Sequence, residues 1–395
     1  MNKLNTIIFL IVTILPTLCA CKGKSTESSL SGGDTIEMKY AKRLTIVKYD
    51  GYTVATLHDP WNKDKTLHTY VLVTDDQANN KQTNNKLAEK AVAVLAADGK
   101  KAEIVHTPLQ RTVVATSTHC ALLDKLRRRN SVRGVCDARY INLPWVKERL
   151  KDGTITDCGN GAAPTLEKII EADADAVIVS PFQNSGGYGR LDEWGKPIIE
   201  AADYMETSAL GRAEWMKFYG MLFGAEHEAD SIFADIERNY NELKTIAHKS
   251  NTRMSIIIDK VTGPVWYVPG GQSTLGQVIA DANAAYPFAD DSNSGSLPLA
   301  FETVLAKAKD ADVWMLRHDS RQPATYASLQ AENKGYTQFK AFREHRIYGC
   351  NTTGNSTFYE DTPFSPDLLL RDFIIITHPD LAARLGEPKY FKNLK

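Results

Sequence analysis

The chain has 395 residues, 43% hydrophobic and 24% charged, with 47 Lys and Arg against 48 Asp and Glu. These are globular proportions with room for two domains, and the near-neutral balance excludes a nucleic-acid protein built on a basic surface. The six cysteines form no C-x-x-C pair, which excludes a thiolate zinc module.

Lys3 precedes the apolar run "LNTIIFLIVTILPTL", which ends in "LCAC" at Leu18–Cys21. The run has the length of a signal segment and is short for a membrane span. With small residues before Cys21, it resembles a bacterial lipoprotein signal, cut before the cysteine, which is then acylated. The other reading is an ordinary secretory signal cut near Ala20. Removing Lys3 would leave 46 basic and 48 acidic residues, a net charge of −2. "KGKSTESSLSGGD" is small and polar, a tether that cannot bury a core. The expected division begins with a signal over 1–20 and a flexible tether over 21–35. Beyond it, no segment is apolar for long enough to cross a membrane.

Residues 36–108 read as a β-rich extension: "LTIVKY" and "HTYVLV" are strands and "NNKQTNN" is a loop. From Arg111 the pattern changes. "RTVVAT" is a β-branched strand, "STHCALLDKLRRR" has helical spacing, and "VRGVCD" is a strand again. "LEKIIEA" (helix), "DAVIVSP" (strand) and "KPIIEA" (strand) continue the alternation, which predicts parallel β-α units over 109–210. Connecting helices follow over 211–249. The first is stopped by Gly224. The second runs for about 25 residues with Ile232, Phe233, Ile236, Tyr240, Leu243 and Ile246 on one face. Over 250–395 the alternation restarts, with strands at "MSIIIDKV", "PVWYV", "DVWML" and "RIYGCN" and a closing helix at "SPDLLLRDFIIIT". The four cysteines past Cys21 are expected as buried free thiols, or with Cys136 and Cys158 paired in an oxidising compartment.

"APTLEKIIEADADAVIVSP" and "PLAFETVLAKAKDADVWMLRH" share one order: a cap, an apolar residue, a glutamate, a short helix, an acidic-Ala step and a strand. They stand on either side of the long helix and place Glu167 and Glu302 in equivalent positions. The chain therefore reads as α/β, with two Rossmann-like lobes of parallel sheet joined by one backbone helix.

From Arg111 onward, these stretches in this order resemble the helical-backbone class of periplasmic binding proteins, which serve ABC importers of ferric siderophores, haem and vitamin B12. The resemblance implies a membrane-anchored binding protein outside the cytoplasm, not an enzyme. It further implies a permease partner, a metal-chelate ligand, a monomeric state and no resident cofactor, since the ligand class carries its own iron or cobalt. By the family pattern, Glu167 and Glu302 would dock onto permease arginines. The extension falls outside that pattern.

In open α/β sheets, ligands bind beyond the C-terminal ends of the strands. Residues expected there are Ser117, Thr118, His119, Arg139, Tyr140, Phe182, Asn184 and Tyr188 in the first lobe. In the second they are Trp266, Tyr267, Gln272, Arg317, His318, Asn355 and Tyr359. Aromatics there suit a flat or greasy ligand, and arginines suit carboxylates or catecholates. Only His119 and His318 of the nine histidines sit at such tips, which disfavours the alternative of a bare zinc or manganese site. A further alternative is a surface lipoprotein that binds a protein partner. No G-x-S-x-G, H-E-x-x-H, phosphate loop or G-x-G-x-x-G motif indicates an enzyme.

Overall fold

The computed structural model describes residues 30–75, 81–183, 187–320, 322–353 and 356–395. The signal, Cys21, most of the tether, Asn184 and Asn355 lie outside the described residues.

The extension opens as an antiparallel meander of Asp34–Ile36, Leu44–Tyr49, Tyr52–His58 and Thr66–Thr74. Tyr49 pairs with Tyr52 around Asp50-Gly51, where Gly51 takes φ +82° at no steric cost. The last strand, Ala102–Thr107, returns parallel to Thr66–Thr74. A parallel return needs a crossover, and the helix Lys81–Ala97 supplies it. Residues 81–85 of the expected loop "NNKQTNN" therefore belong to a helix. Their own preference is weak, but the Ala-rich stretch behind them is a strong helix former. Ala88, Ala91 and Leu95 bury one face of that helix against Val54, Val71 and Val73. The opposite sheet face, with Leu44, Ile46, Ala55, Leu57, Tyr70 and Leu72, joins the main core beside Phe218 and Phe233.

Backbone amides tie the extension down as well. Glu214, fully buried, accepts from Lys39 N (3.0 Å), Tyr40 N (2.8 Å) and Ala41 N (2.9 Å). Glu206 accepts from Lys42 N and Arg43 N and from the Trp215 indole at 2.9 Å. Glu206 closes the first lobe and Glu214 ends the helix Ala209–Glu214 that leads into the connecting helices, so the extension is fastened where that lobe ends.

The first lobe has five parallel strands in the order Ile198–Glu200, Ala176–Val179, Thr112–Val114, Val132–Val135, Thr156–Asp157. The order reverses between Thr112–Val114 and Ala176–Val179, the place where such sheets open a crevice. The helix Met216–Phe223 stops at Gly224, which takes φ +60°. The connecting helix follows as Glu226–His248, about 35 Å long at 1.5 Å per residue. It buries Ala229, Phe233, Ile236 and Tyr240.

In the second lobe Ile256–Ile258, Val313–His318 and Ile347–Asn351 are parallel, and Lys392–Asn393 adds an antiparallel edge. "PVWYV" does not join this sheet. It forms a separate antiparallel ribbon, Val261–Thr262, Val265–Pro269 and Ser296–Leu299. Pro298 lacks an N–H and occupies the ribbon's outer strand, where no second partner is needed. Cys120, Cys136, Cys158 and Cys350 are free, buried thiols.

Candidate functional site

The lobes meet where the parallel strands end. Thr118 Oγ1 donates to Tyr359 O (2.9 Å), and Asn142 N donates to Glu360 Oε1 (3.3 Å). Thr274 Oγ1 donates to Glu206 O at 2.8 Å, and Lys125 Nζ donates to Ser365 Oγ at 2.7 Å. Ser117, at the head of the helix Ser117–Lys125, hydrogen-bonds Glu360, whose pKa burial raises. Ser117 and Thr118 thus lie at the junction itself.

His119 does not face the cleft. One position further along the helix, it turns inward and is 2% exposed. Its Nε2 stands 2.9 Å from Asp203 Oδ1 and 2.9 Å from the Tyr219 hydroxyl, and its Nδ1 stands 2.5 Å from Thr116 Oγ1. The Phe364 ring closes over it at 5.9 Å between centroids. Asp203 also accepts from Arg212 Nε at 2.9 Å. Burial opposes ionisation of Asp203, but His119 and Arg212 outweigh it and hold the carboxyl at about 2. Trp266 is likewise internal: its indole N–H donates to Ile258 O, and its ring stacks on Trp314 at 5.5 Å. Strand alternation puts Tyr267 on the other face, 48% exposed.

Other predicted residues are accessible. Arg139 covers the Tyr140 ring at 4.5 Å, and Tyr140 is 65% exposed. Phe182 and Tyr359 are each 48% exposed. Tyr204, which the sequence reading missed, is also exposed, and its hydroxyl donates to Pro181 O, next to Phe182. It directly follows the strand Ile198–Glu200, so the strand-end rule that selected the others applies to it equally. Tyr140, Phe182, Tyr204 and Tyr359 come after a parallel strand has ended, and Tyr267 lies on the antiparallel ribbon. Together with Ile170 they make up the exposed large hydrophobics of the described residues.

Arg317 is half-buried. Its Nε donates to Asp259 Oδ1 (3.0 Å), its terminal nitrogen to Asp259 Oδ2, and its backbone N–H to Asp259 Oδ1 (3.2 Å). Burial works against the guanidinium charge, yet Asp259 raises its pKa. Asp259 itself stands at φ +58° immediately after Ile256–Ile258, a rare conformation for a residue with a side chain. His318 is pushed below its ordinary pKa by burial and by Lys260. With Asn351, Ser356, Lys389 and Lys392 it lines a cavity of about 810 Å³. That cavity belongs to the second lobe alone, whereas the exposed aromatics come from both lobes. The exposed aromatics, drawn from both lobes, are therefore the better candidates for capturing a ligand.

Tyr188 is half-buried at the start of the turn Gly189–Glu193, and its hydroxyl donates to Glu200 Oε1 at 2.9 Å. Glu167 and Glu302 are each the second residue of a helix, Leu166–Glu171 and Phe301–Ala308, and both are exposed. Neither helix has a side-chain cap, so these carboxylates are what complements the positive helix end. Arg190 donates to Glu167 Oε1 at 2.6 Å. The backbone N–H of Glu167 and Arg190 lower the Glu167 pKa.

Exposed aromatic faces thus come from both lobes, with Arg139 over the Tyr140 ring. An uncharacterized lipoprotein of Methanocaldococcus jannaschii is 26% identical over 87% of this chain and 82% of its own. A periplasmic heme binding protein from Pseudomonas aeruginosa superposes with TM-score 0.54 at 16% identity, over 72% of this chain and 98% of its own. A petrobactin-binding protein from Bacillus subtilis gives TM-score 0.52 at 18% identity, over 67% and 92%. The profile of the family described as periplasmic binding protein matches residues 113–352. With more than half of its length matched, the chain belongs to the periplasmic binding proteins, a class that binds substrates rather than converting them.

Proposed function

We propose that this protein captures a metal chelate, either an iron–siderophore complex, haem or a corrinoid, outside the cytoplasm and hands it to an ABC import permease. The observation that carries this reading is the set of exposed aromatics from both lobes: Tyr140, Phe182, Tyr204 and Tyr359, each past the end of a parallel strand, and Tyr267 on the antiparallel ribbon of the second lobe. Exposed rings offer apolar faces that a ligand can cover, and flat or greasy chelates supply the matching surface. Arg139 and Arg317 add charge for carboxylates or catecholates. Family membership supports the permease partner, and the lipoprotein relative supports a tether at Cys21. Glu167 and Glu302, one per lobe, are the docking carboxylates in this reading.

A bare ion cargo has less in its favour. Among the described residues no group of three His, Cys, Asp or Glu side chains could hold a metal. The test is a titration of the purified chain with haemin, ferrioxamine B, a ferric catecholate and cyanocobalamin, followed by absorbance and tryptophan fluorescence. Saturable one-to-one binding of one of them is expected. Failure of all four, with zinc or manganese binding instead, would overturn the reading.

A further inference from the structure

The extension meets the first lobe at a buried charge cluster that nothing above uses. His68, in the strand Thr66–Thr74, is 1% exposed. Its Nδ1 stands 3.1 Å from Glu200 Oε2, and its Nε2 stands 3.0 Å from Glu103 Oε1. Glu103 comes from the neighbouring strand Ala102–Thr107, and Glu200 from the lobe's edge strand Ile198–Glu200. These two carboxylates are the charges facing His68. The Tyr70 ring stacks on it at 4.3 Å. The Tyr70 hydroxyl accepts from Glu200 N and donates to Ile198 O, both at 2.8 Å.

A neutral imidazole carries one N–H and no charge, so it could serve only one of its two carboxylates, whereas the doubly protonated ring donates to Glu200 and attracts Glu103 by charge, although Nε2 is not aligned for a hydrogen bond to it. Burial opposes the charge, but Glu103 and Glu200 outweigh it and raise the His68 pKa above its ordinary value. The other oxygen of Glu200 accepts from the Tyr188 hydroxyl. Burial and Glu200 raise the Tyr188 pKa, so the phenol keeps the proton it donates. Tyr188 opens the turn Gly189–Glu193, and from that turn Arg190 reaches Glu167. A single turn therefore carries a candidate ligand tyrosine and the clamp on a candidate docking carboxylate.

We propose that the extension positions this turn: Glu103, His68 and Glu200 form a buried relay that sets where Tyr188 and Arg190 stand, and its hold depends on the proton of His68. As pH rises and the ring loses one N–H, one of the two carboxylates loses its partner. The stabilisation is complete below the ordinary histidine value of about 6.5 and is lost as pH passes the raised value. The posture of the turn does not depend on which ligand is carried. Only the consequence for capture rests on the function proposed above.

The test is aromatic NMR of the full chain carrying 13C-labelled histidine and tyrosine rings, with His68 and Tyr188 assigned from His68→Gln and Tyr188→Phe. The His68 signal should titrate with a midpoint above about 6.5, and the Tyr188 signal should move with the same midpoint. In His68→Gln the Tyr188 movement should vanish. Glu103→Gln, which removes a partly exposed carboxylate and so spares the fold, should lower the His68 midpoint. A Tyr188 signal indifferent to pH, or moving unchanged in His68→Gln, would overturn the proposal. Binding of whichever of haemin, ferrioxamine B, the ferric catecholate and cyanocobalamin saturates the chain should weaken with the same midpoint in the wild type only. Flat binding profiles beside an intact Tyr188 titration would leave the relay standing and refute the ligand role of Tyr188 instead.

Discussion

Replacing Glu214 with Gln should release Lys39–Ala41 while Glu206 still holds Lys42 and Arg43 and both lobes stay folded. Glu214 is fully buried and accepts four bonds. Oε1 takes Lys39 N at 3.0 Å and Lys217 Nζ at 3.1 Å, and Oε2 takes Tyr40 N at 2.8 Å and Ala41 N at 2.9 Å. A glutamine keeps one carbonyl oxygen but sets an NH2 against the two donors that faced the other. Two hydrogen bonds to a charged acceptor are lost, at about 1.5–3 kcal/mol each. The lower end, about 3 kcal/mol, raises the open population of the segment roughly 100-fold, since 1.4 kcal/mol is tenfold. Lys39 makes the segment a substrate for trypsin once it opens, and cleavage tracks the open population when reclosing is fast. Mass spectrometry should find cleavage after Lys39 about 100-fold faster in Glu214→Gln, with sites in the second lobe unchanged. A change below about threefold would refute the idea that this carboxylate fastens the extension.

Replacing Glu167 and Glu302 together with Ala should leave chelate affinity and melting temperature nearly unchanged and abolish uptake in cells. Surviving uptake, or loss of binding by the purified variant, would remove their docking role. Arg317→Ala, His318→Ala and Tyr188→Ala should each weaken binding by roughly 1–3 kcal/mol if the contact is desolvated, read by the same absorbance titration, and unchanged affinity in all three would relocate the site. Asp203, held at about 2 against an ordinary 3.8, contributes stability that is complete above the ordinary value and is lost as pH falls toward 2. Urea midpoints between pH 4.5 and 2.5 should therefore fall less steeply in Asp203→Asn than in the wild type, and equal slopes would contradict the assignment.

The sequence by itself determined whatever depends on local periodicity. Strand-helix alternation from Arg111 announced parallel sheets, because parallel strands need helical crossovers. The apolar stripe Phe233, Ile236, Tyr240 announced the connecting helix, because a long helix must bury one face. The shared order around Glu167 and Glu302 put both carboxylates at helix starts, a position set by neighbours in sequence. Tyr140, Phe182 and Tyr359 were legible as exposed rings because they follow strand ends.

The direction in which a side chain points within its element was settled by tertiary structure. His119 stands beside Ser117 and Thr118 in sequence, but the helix turns it into the pocket formed by Asp203, Tyr219 and Phe364. Trp266 and Tyr267 are adjacent, and only the packing of Trp314 decided which of them went inside. The helix Lys81–Ala97 had weak local signals at its start and forms because Ala102–Thr107 must return in parallel. The welding of the extension to the first lobe was invisible for a simpler reason. Its bonds join Ala41 to Glu214 and His68 to Glu200, residues far apart in sequence, and pairings across that distance leave no periodic trace. They exist only once the chain has closed on itself and buried those charges where each must find a partner.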